Sequence, residues 1–350
     1  MPHATTQHDA PSPPASRGRG RTRRGQSLAD MLAQWGPDAD PAAPSLDEAR
    51  RTVRALALGH YENFPVLSRL VPDDLRDDFA AVYAFCRWSD DLADETGADD
   101  AARARSLELL AWWRAGLRAC AAHARGDAQD PPRHPVYVAL AQTMRARELD
   151  EAPFHHLLDA FEQDQRIIRY ETWAQLMGYC EGSANPVGRI VLALAGHTGA
   201  KPGDDERLAM SDATCTALQL ANFWQDVRRD LLERGRVYMP SAETGIDATT
   251  LRAWSHRDDD PNARVRFIRA LRPLVCRTRE LFVQGRPLVR TLDARIRPVV
   301  WLFGAGGERI LTKVERAGCT TLWARPRLTG VEKGALVARA AAGLYPGARA

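Results

Sequence analysis

From Leu46 onward the sequence strings one helix-period apolar pattern after another, and this succession restricts the chain to a helical architecture. Such patterns run through 46–59, 74–95, 101–122, 135–148, 151–168, 172–181, 184–198, 204–233, 262–285 and 288–317. The gaps between them carry helix punctuation: Pro72-Asp73-Asp74, Gly97, Asp130-Pro131-Pro132, Asp150, the stretch from Gly199 to Gly203, and Pro261. No alternating run reads as a strand, and the longest internal irregular segment is 236–261, with Pro240, Gly245 and an acidic cluster at 258–260. No linker of disordered composition interrupts the series after residue 45. One all-α domain is therefore predicted over 46–330, flanked by tails at 1–45 and 331–350.

Residues 1–45 are rich in Pro, Ala, Gly, Arg and Asp, with almost no aromatic side chain before Trp35. Such a stretch buries too little apolar surface to offset its conformational entropy and is expected to be disordered, with 28–35 able to form a helical turn. The formal charge of +3 is unevenly spread. Arg17, Arg19, Arg21, Arg23 and Arg24 face only Asp9 in the first 25 residues, which leaves the body slightly acidic. A body without basic bias argues against nucleic acid as a partner, and the Arg-Gly run is read as a solvated tail rather than a ligand for RNA or lipid headgroups. Six scattered cysteines without C-x-x-C spacing predict free thiols in a reducing compartment. The longest apolar runs, 190–195 and 299–304, fall far short of a bilayer span, and the N-terminus lacks the apolar segment of a secretory signal. A cytoplasmic protein is expected, with transient contact at the inner membrane surface through an apolar patch or the basic tail.

Two helical segments carry acids at a spacing that destabilises a helix. In 79–95, Asp90 and Asp94 lie four residues apart on one face, with Arg87 a turn before them and Asp91 and Glu95 as a second pair alongside. In 218–230, Asn222, Asp226 and Asp230 form one stripe among Leu218, Leu220, Phe223, Trp224 and Val227. Oxygen donors in this arrangement suit a hard cation such as Mg²⁺, which would also relieve the repulsion. Either site alone is more often a solvated face, with Arg87, Arg228 or Arg229 pairing the carboxylates locally. Two such sites, each set in an apolar helix, favour the cation.

These segments resemble the two Asp-rich motifs of the squalene and phytoene synthase family. Tyr83-Ala-Phe-Cys-Arg-Trp-Ser-Asp-Asp-Leu-Ala-Asp94 is similar to the first, and Asn222-Phe-Trp-Gln-Asp-Val-Arg-Arg-Asp230 to the second. Further matches follow the family order: His60-Tyr-Glu-Asn-Phe-Pro65, Asp164, Arg169-Tyr170, Tyr179-Cys-Glu-Gly-Ser-Ala-Asn-Pro-Val-Gly188 and Gly235-Arg-Val-Tyr-Met-Pro240. The resemblance covers roughly 48–328. It implies an isoprenoid synthase fold, with helices around a central apolar cavity and the two Asp-rich helices facing one another. It further implies Mg²⁺ held by Asp90, Asp94, Asn222, Asp226 and Asp230, and a prenyl diphosphate as substrate. Arg87 is the implied diphosphate ligand, helped by His60, Asn63 and Tyr238, while Arg229 serves either the phosphate or Asp226. Asp164 and Tyr179 are the candidate catalytic residues, one or the other orienting a water.

Within the family, the motif set resembles the branch of bacterial hopanoid synthesis that takes presqualene diphosphate, releases diphosphate and adds water to give hydroxysqualene. Gln225 stands where the wider family usually carries arginine, Arg229 where it has glutamate, and Asn185-Pro186 where it has Gly-Thr. Loss of an arginine beside the second acidic stripe suits a substrate with one diphosphate. One alternative is head-to-head condensation of two prenyl diphosphates to presqualene diphosphate, squalene or phytoene. Another, from a different class, is a non-catalytic helical assembly protein whose acids pair with arginines. No G-x-G-x-x-G follows a strand, so the sequence offers no sign of nicotinamide chemistry.

Overall fold

The computed structural model describes residues 27–60, 70–97, 99–257 and 260–348, with backbone alone for residues 59 and 60. Its longer helices are α1 (Leu28–Trp35), α2 (Leu46–His60), α3 (Arg76–Asp94), α4 (Asp100–Arg125), α5 (Pro135–Arg147), α6 (Ala152–Asp164) and α7 (Trp173–Ser183). They continue with α8 (Asn185–Leu194), α9 (Asp204–Arg229), α10 (Ala248–Ser255), α11 (Pro261–Gly285), α12 (Arg297–Arg316) and α13 (Gly330–Ala341). No strand forms among the described residues; an isolated parallel bridge joins Arg169 to Val237. The fold class is all-α, as the periodicity predicts.

Local chemistry sets the helix ends. Asp99 caps α4 by accepting the Ala102 N–H at 2.8 Å, and Gly126 ends it in the left-handed region at φ 86°. Thr172 and Gln175 form a reciprocal capping box at the start of α7. Pro135 and Pro261 occupy the first turns of α5 and α11, where a missing N–H costs nothing.

Two apolar clusters hold the helices. One gathers Val53, Phe85, Trp88, Trp113, Leu140 and Phe154 from α2 to α6. The other gathers Leu220, Trp224, Phe267, Leu271, Phe282 and Leu311 from α9, α11 and α12. Helix α6 contacts α3 on one side and α8 on the other, and α8 in turn contacts α9, so the clusters are bridged. Close approach fixes α9 itself. A Cβ on Gly307 of α12 would fall 2.2 Å from Leu218 Cδ2 and 2.9 Å from Phe282 Cζ. These contacts grip α9 just before its acidic stripe, and the Trp224 indole N–H adds a 2.7 Å bond to Thr278 Oγ1.

The structure corrects several boundaries. Residues 28–35 are no part of a disordered tail: α1 forms, with a Ser27–Asp30 capping box, and buries Leu28 and Met31 in the first cluster. Four apolar side chains at helical spacing suffice once a neighbouring core covers them. Residues 330–341 likewise form α13, capped by Thr329 and Glu332, with Glu332 paired to Lys313 at 2.8 Å. The 236–261 segment contains α10 behind its Asp247 cap. The 288–317 pattern breaks into a single turn, Leu288–Thr291, and α12, whose first turn contains Pro298. None of the six cysteines is in a disulfide. Among the described residues no helix is long and apolar enough to cross a membrane.

Candidate active site

Helix α3 buries Phe85, Trp88 and Leu92 in the first cluster, which leaves Arg87, Asp90 and Asp94 on partly exposed flanks. Arg87 resolves the repulsion among its neighbours: Nη1 lies 3.0 Å from Asp90 Oδ2, Nε 3.0 Å from Asp91 Oδ2, and Nη2 3.3 Å from Glu95 Oε1. Asp91 is buried, and burial pushes its carboxyl upward against the pull of Arg87. The guanidinium expected to hold phosphate is thus engaged by acids of its own helix.

The end of α9 widens into a π-helical segment, Asp230–Arg234, a departure from regular helix frequent at functional sites. Gly235, at φ 66°, turns the chain back, and the Arg236 N–H donates to the Asp230 carbonyl at 2.9 Å. Two arginines are thereby aimed at the first acidic helix. Arg234 Nη2 lies 2.9 Å from Asp94 Oδ2, with its Nη1 3.9 Å from Asp230 Oδ1, so it links the two acidic segments directly. Arg236, only 8% exposed, places Nη1 3.1 Å from Asp94 Oδ1 and 3.5 Å from Asp164 Oδ2.

Asp164 is buried at the end of α6, where its Oδ2 accepts the Tyr179 hydroxyl at 2.9 Å. Its Oδ1 is buried with no hydrogen-bond partner among the described residues. Burial pushes the Asp164 carboxyl up to about 6, with Arg236 opposing. Burial likewise pushes Asp230 up to about 7, against Arg234 and with Asp226 adding to the rise. Beside this network stands an aromatic wall. Tyr170, Tyr179 and Tyr238 lie with centroids 5.3–5.8 Å apart, and Phe223 stacks on Tyr238 at 3.7 Å and 6°. Tyr238, expected as a phosphate helper, is buried within that wall.

On the second stripe, Asn222 is exposed and Asp226 is held by the guanidinium of Arg325, whose Nη2 lies 2.9 Å from Oδ2. Arg229 stays half in solvent, 3.1 Å from Glu233 and 3.7 Å from Asp226, so it serves the carboxylates. Arg228 donates to the Ser255 carbonyl at 2.7 Å. The Gln225 amide is buried and donates to the Pro326 carbonyl at 2.6 Å, and Asn185 Oδ1 accepts the Thr216 hydroxyl at 2.9 Å. Asn63 lies outside the described residues, as does the side chain of His60 at the end of α2.

Asp94, Asp164, Asp230, Tyr179 and Tyr238 therefore come together, while Arg87 and Arg229 are tied up locally. Sequence reasoning missed Arg234, Arg236 and Arg325. Arg234 follows Asp230 at i,i+4 and Arg236 sits inside the quoted 235–240 motif, so both left a trace. Arg325 lies 99 residues from Asp226, and no local pattern marks it. As to a metal, the donors are carboxylate and amide oxygens alone, which suits Mg²⁺. No group of three or more acid, His or Cys side chains among the described residues is assembled to hold an ion unaided. Water and substrate oxygens would complete the shell, which is how Mg²⁺ ordinarily binds.

A helical bundle that converges two acidic helices on Arg234 and the buried Arg236 beside an aromatic wall defines an all-α enzyme of the isoprenoid diphosphate kind. The squalene/phytoene synthase family model matches residues 57–332, and the chain belongs to that family. It is 39% identical over 186 residues to a hydroxysqualene synthase of Zymomonas mobilis, covering 52% of this chain and 56% of that protein. It is 30% identical over 255 residues to a hydroxysqualene synthase of Rhodopseudomonas palustris, covering 73% and 80%. The crystal structure of squalene synthase HpnC from Alicyclobacillus acidocaldarius superposes with a TM-score of 0.66 at 38% identity, covering 78% of this chain and 95% of that one. A dehydrosqualene synthase complex, at 19% identity and a TM-score of 0.68 over 85% of this chain and 97% of its own, shares the fold.

Proposed function

We propose that this enzyme converts presqualene diphosphate and water into hydroxysqualene and diphosphate with Mg²⁺ as cofactor. The observation that carries the reading is Gln225: the residue beside the metal-binding aspartate is neutral, and its amide is spent on the Pro326 carbonyl. One cation is thereby removed from the diphosphate cluster, as suits a substrate bearing one diphosphate. The identity to two hydroxysqualene synthases points the same way.

In the reaction the carbon–oxygen bond breaks with both electrons leaving on the diphosphate oxygen. The cyclopropylcarbinyl cation rearranges and its ring opens as a C–C electron pair moves to the cationic carbon, and a water oxygen adds to the rearranged cation and sheds a proton. Asp90, Asp94, Asn222, Asp226 and Asp230 would hold Mg²⁺, which when bound supplies positive charge to the departing phosphate oxygens. Arg234 and Arg325 reach the same region and add fixed cationic charge. The faces of Tyr170, Tyr179, Tyr238 and Phe223 offer a carbocation about 0.5–2 kcal/mol each while excluding nucleophiles. The unpartnered Asp164 Oδ1 is the acceptor able to orient a single water, with Tyr179 fixing the other oxygen. With its carboxyl near 6, Asp164 is ionised at neutral pH and able to take the proton that water loses.

Incubating the purified chain and Mg²⁺ with presqualene diphosphate, and separately with farnesyl diphosphate, tests the reading by mass spectrometry of the products. Hydroxysqualene from the first and no product from the second are expected; turnover of farnesyl diphosphate alone would establish the condensing alternative. The Asp90→Asn, Asp226→Asn double variant should lose Mg²⁺-dependent diphosphate release while keeping its circular dichroism spectrum. Unchanged release would remove both residues from the metal site.

A further inference from the structure

Helix α11 has two unlike faces. The inner one buries Phe267, Leu271, Leu274, Thr278 and Phe282 against α9 and the second cluster. Along the outer one, Val265, Arg272, Cys276 and Val283 follow at intervals of seven, four and seven residues, which places them on a single line of the helix. Val265 is 47% and Val283 52% exposed, and Arg272 and Cys276 are also exposed. Beside that line Val265, Ile268, Arg269, Arg272, Pro273 and Cys276 enclose a shallow depression of about 530 Å³.

The charge of this helix is as unusual as its exposed apolar line. Residues 261–285 hold six arginines against one acid, Glu280, in a body that is otherwise slightly acidic. Arg277 and Arg279 are paired with Glu243 and Glu315. Arg269 and Arg272 have no acidic partner among the described residues, and they flank the depression. Exposed valines and a partly exposed isoleucine, interleaved with guanidinium groups that no carboxylate among the described residues neutralises, match a surface with phosphate outside and hydrocarbon beneath. A nucleic acid would leave the apolar component unmatched.

We propose that the outer face of α11 docks the enzyme on the surface of an anionic lipid bilayer, with Arg269 and Arg272 on headgroup phosphates and Val265, Ile268 and Val283 at the acyl boundary. None of Val265, Ile268, Arg269, Arg272 and Val283 is among the proposed catalytic or metal-binding residues. The helix is joined to them mechanically, since Thr278 on its inner side holds Trp224 of the second acidic helix. The surface, rather than the basic tail, is the anchor.

The test is co-sedimentation of the full chain with vesicles of phosphatidylglycerol or of phosphatidylcholine, which needs no substrate and is read independently of catalysis. Binding to the anionic vesicles, weakened by raising salt from 0.1 to 0.5 M, and little binding to the zwitterionic ones are expected. Each guanidinium near an anionic surface is worth about five-fold in partitioning, so Arg269→Gln with Arg272→Gln should weaken binding roughly 30-fold. Arg272 also hydrogen-bonds the Cys319 side chain. Should circular dichroism show a disturbed fold, Arg269→Gln alone carries the expected five-fold loss. Neutralising Arg17, Arg19, Arg21, Arg23 and Arg24 to Gln should leave most of the binding. The proposal is overturned if the chain ignores anionic vesicles, if the α11 variant binds like the parent, or if the tail variant abolishes binding. It is overturned equally if sedimentation velocity reveals a dimer that the α11 variant dissociates, which would assign the face to a second copy.

Discussion

His134 offers the cleanest quantitative test of the packing. It caps α5, its Nδ1 accepting the Val136 N–H at 3.2 Å, and sits in an aromatic box with centroids 4.6 Å from Trp88, 4.8 Å from Trp113 and 5.7 Å from Tyr137. Nε2 is buried with no hydrogen-bond partner among the described residues. Burial alone pushes the imidazole down to about 3, so the folded chain holds His134 neutral while the unfolded chain protonates it at an ordinary pKa of about 6.5. Between those values the unfolded state binds the extra proton, so stability is lost as pH falls through 6.5 toward 3. At pH 5 the unfolded histidine is about 97% protonated and the folded one hardly at all, which amounts to about 2 kcal/mol against pH 8. Because pH 5 lies well above the folded value, that figure is set almost wholly by the unfolded pKa.

The perturbation is His134→Asn, which keeps a good N-cap acceptor and cannot titrate. It vacates part of the aromatic box and so lowers stability by an amount independent of pH. Urea unfolding of metal-free parent and variant at pH 8, 6.5 and 5 gives the two curves. The gap between them should narrow by about 2 kcal/mol from pH 8 to pH 5 as the parent alone becomes acid-labile. A gap constant within about 0.5 kcal/mol would refute the reasoning, because it would mean that His134 titrates alike in both states and that the box admits water.

Three further substitutions probe the site and its support. Gly307→Ala gains helix propensity of about 1 kcal/mol, yet its methyl meets Leu218 and Phe282; net destabilisation of about 1–2 kcal/mol by urea unfolding is expected. Tyr179→Phe removes a hydrogen bond to a buried carboxylate worth about 1.5–3 kcal/mol, so turnover should fall roughly 10- to 150-fold, with altered product ratios in the mass spectrum. Arg236→Met strips the cation from buried Asp164 and one of two cations from partly exposed Asp94, and should cost about 3–5 kcal/mol at pH 8 in metal-free protein. Asp164 already lies above its unfolded pKa and rises further in this variant. Its penalty therefore grows as pH rises, and the loss in Tm should shrink on acidification to pH 5. A pH-independent loss would contradict that assignment.

The sequence made legible what is local and periodic. The boundaries of α3, α4, α5, α9 and α11 follow from apolar spacing and from punctuation such as Gly97 and Pro261, and the structure places them within a few residues. Helix α1 was legible only as a helical turn within a tail, because eight residues with four apolar side chains hold as a helix only when a core covers Leu28 and Met31. Among site residues, Asp164 and Tyr179 were reached through motif resemblance, and the structure joins them by a direct hydrogen bond. The cationic side of the site stayed hidden for two physical reasons. Arg236 is aimed by a π-turn followed by Gly235, a local distortion with no periodic signature. Arg325 reaches Asp226 only because α12 and the chain beyond it fold back along α9.

That hidden cationic side changes how the acidic helices work. Before substrate arrives, Asp94 has Arg234 and Arg236, Asp226 has Arg325, and Asp164 has Arg236, so acids and arginines are already close to balanced. A diphosphate cannot enter a balanced cluster without either new cations or a change of partners. The arginines differ in their freedom to change. Arg234 and Arg325 are 37% and 32% exposed and can swing from carboxylate to phosphate at little desolvation cost. Arg236, at 8% exposure between partly exposed Asp94 and buried Asp164, cannot leave without stranding the Asp164 carboxylate. As the first two turn toward phosphate, the carboxylates they release are Asp94, Asp226 and Asp230, residues expected to ligate Mg²⁺. If those residues hold Mg²⁺ as proposed, metal and diphosphate would favour one another's binding through these exchanges, while Arg236 keeps Asp164 and Tyr179 in place.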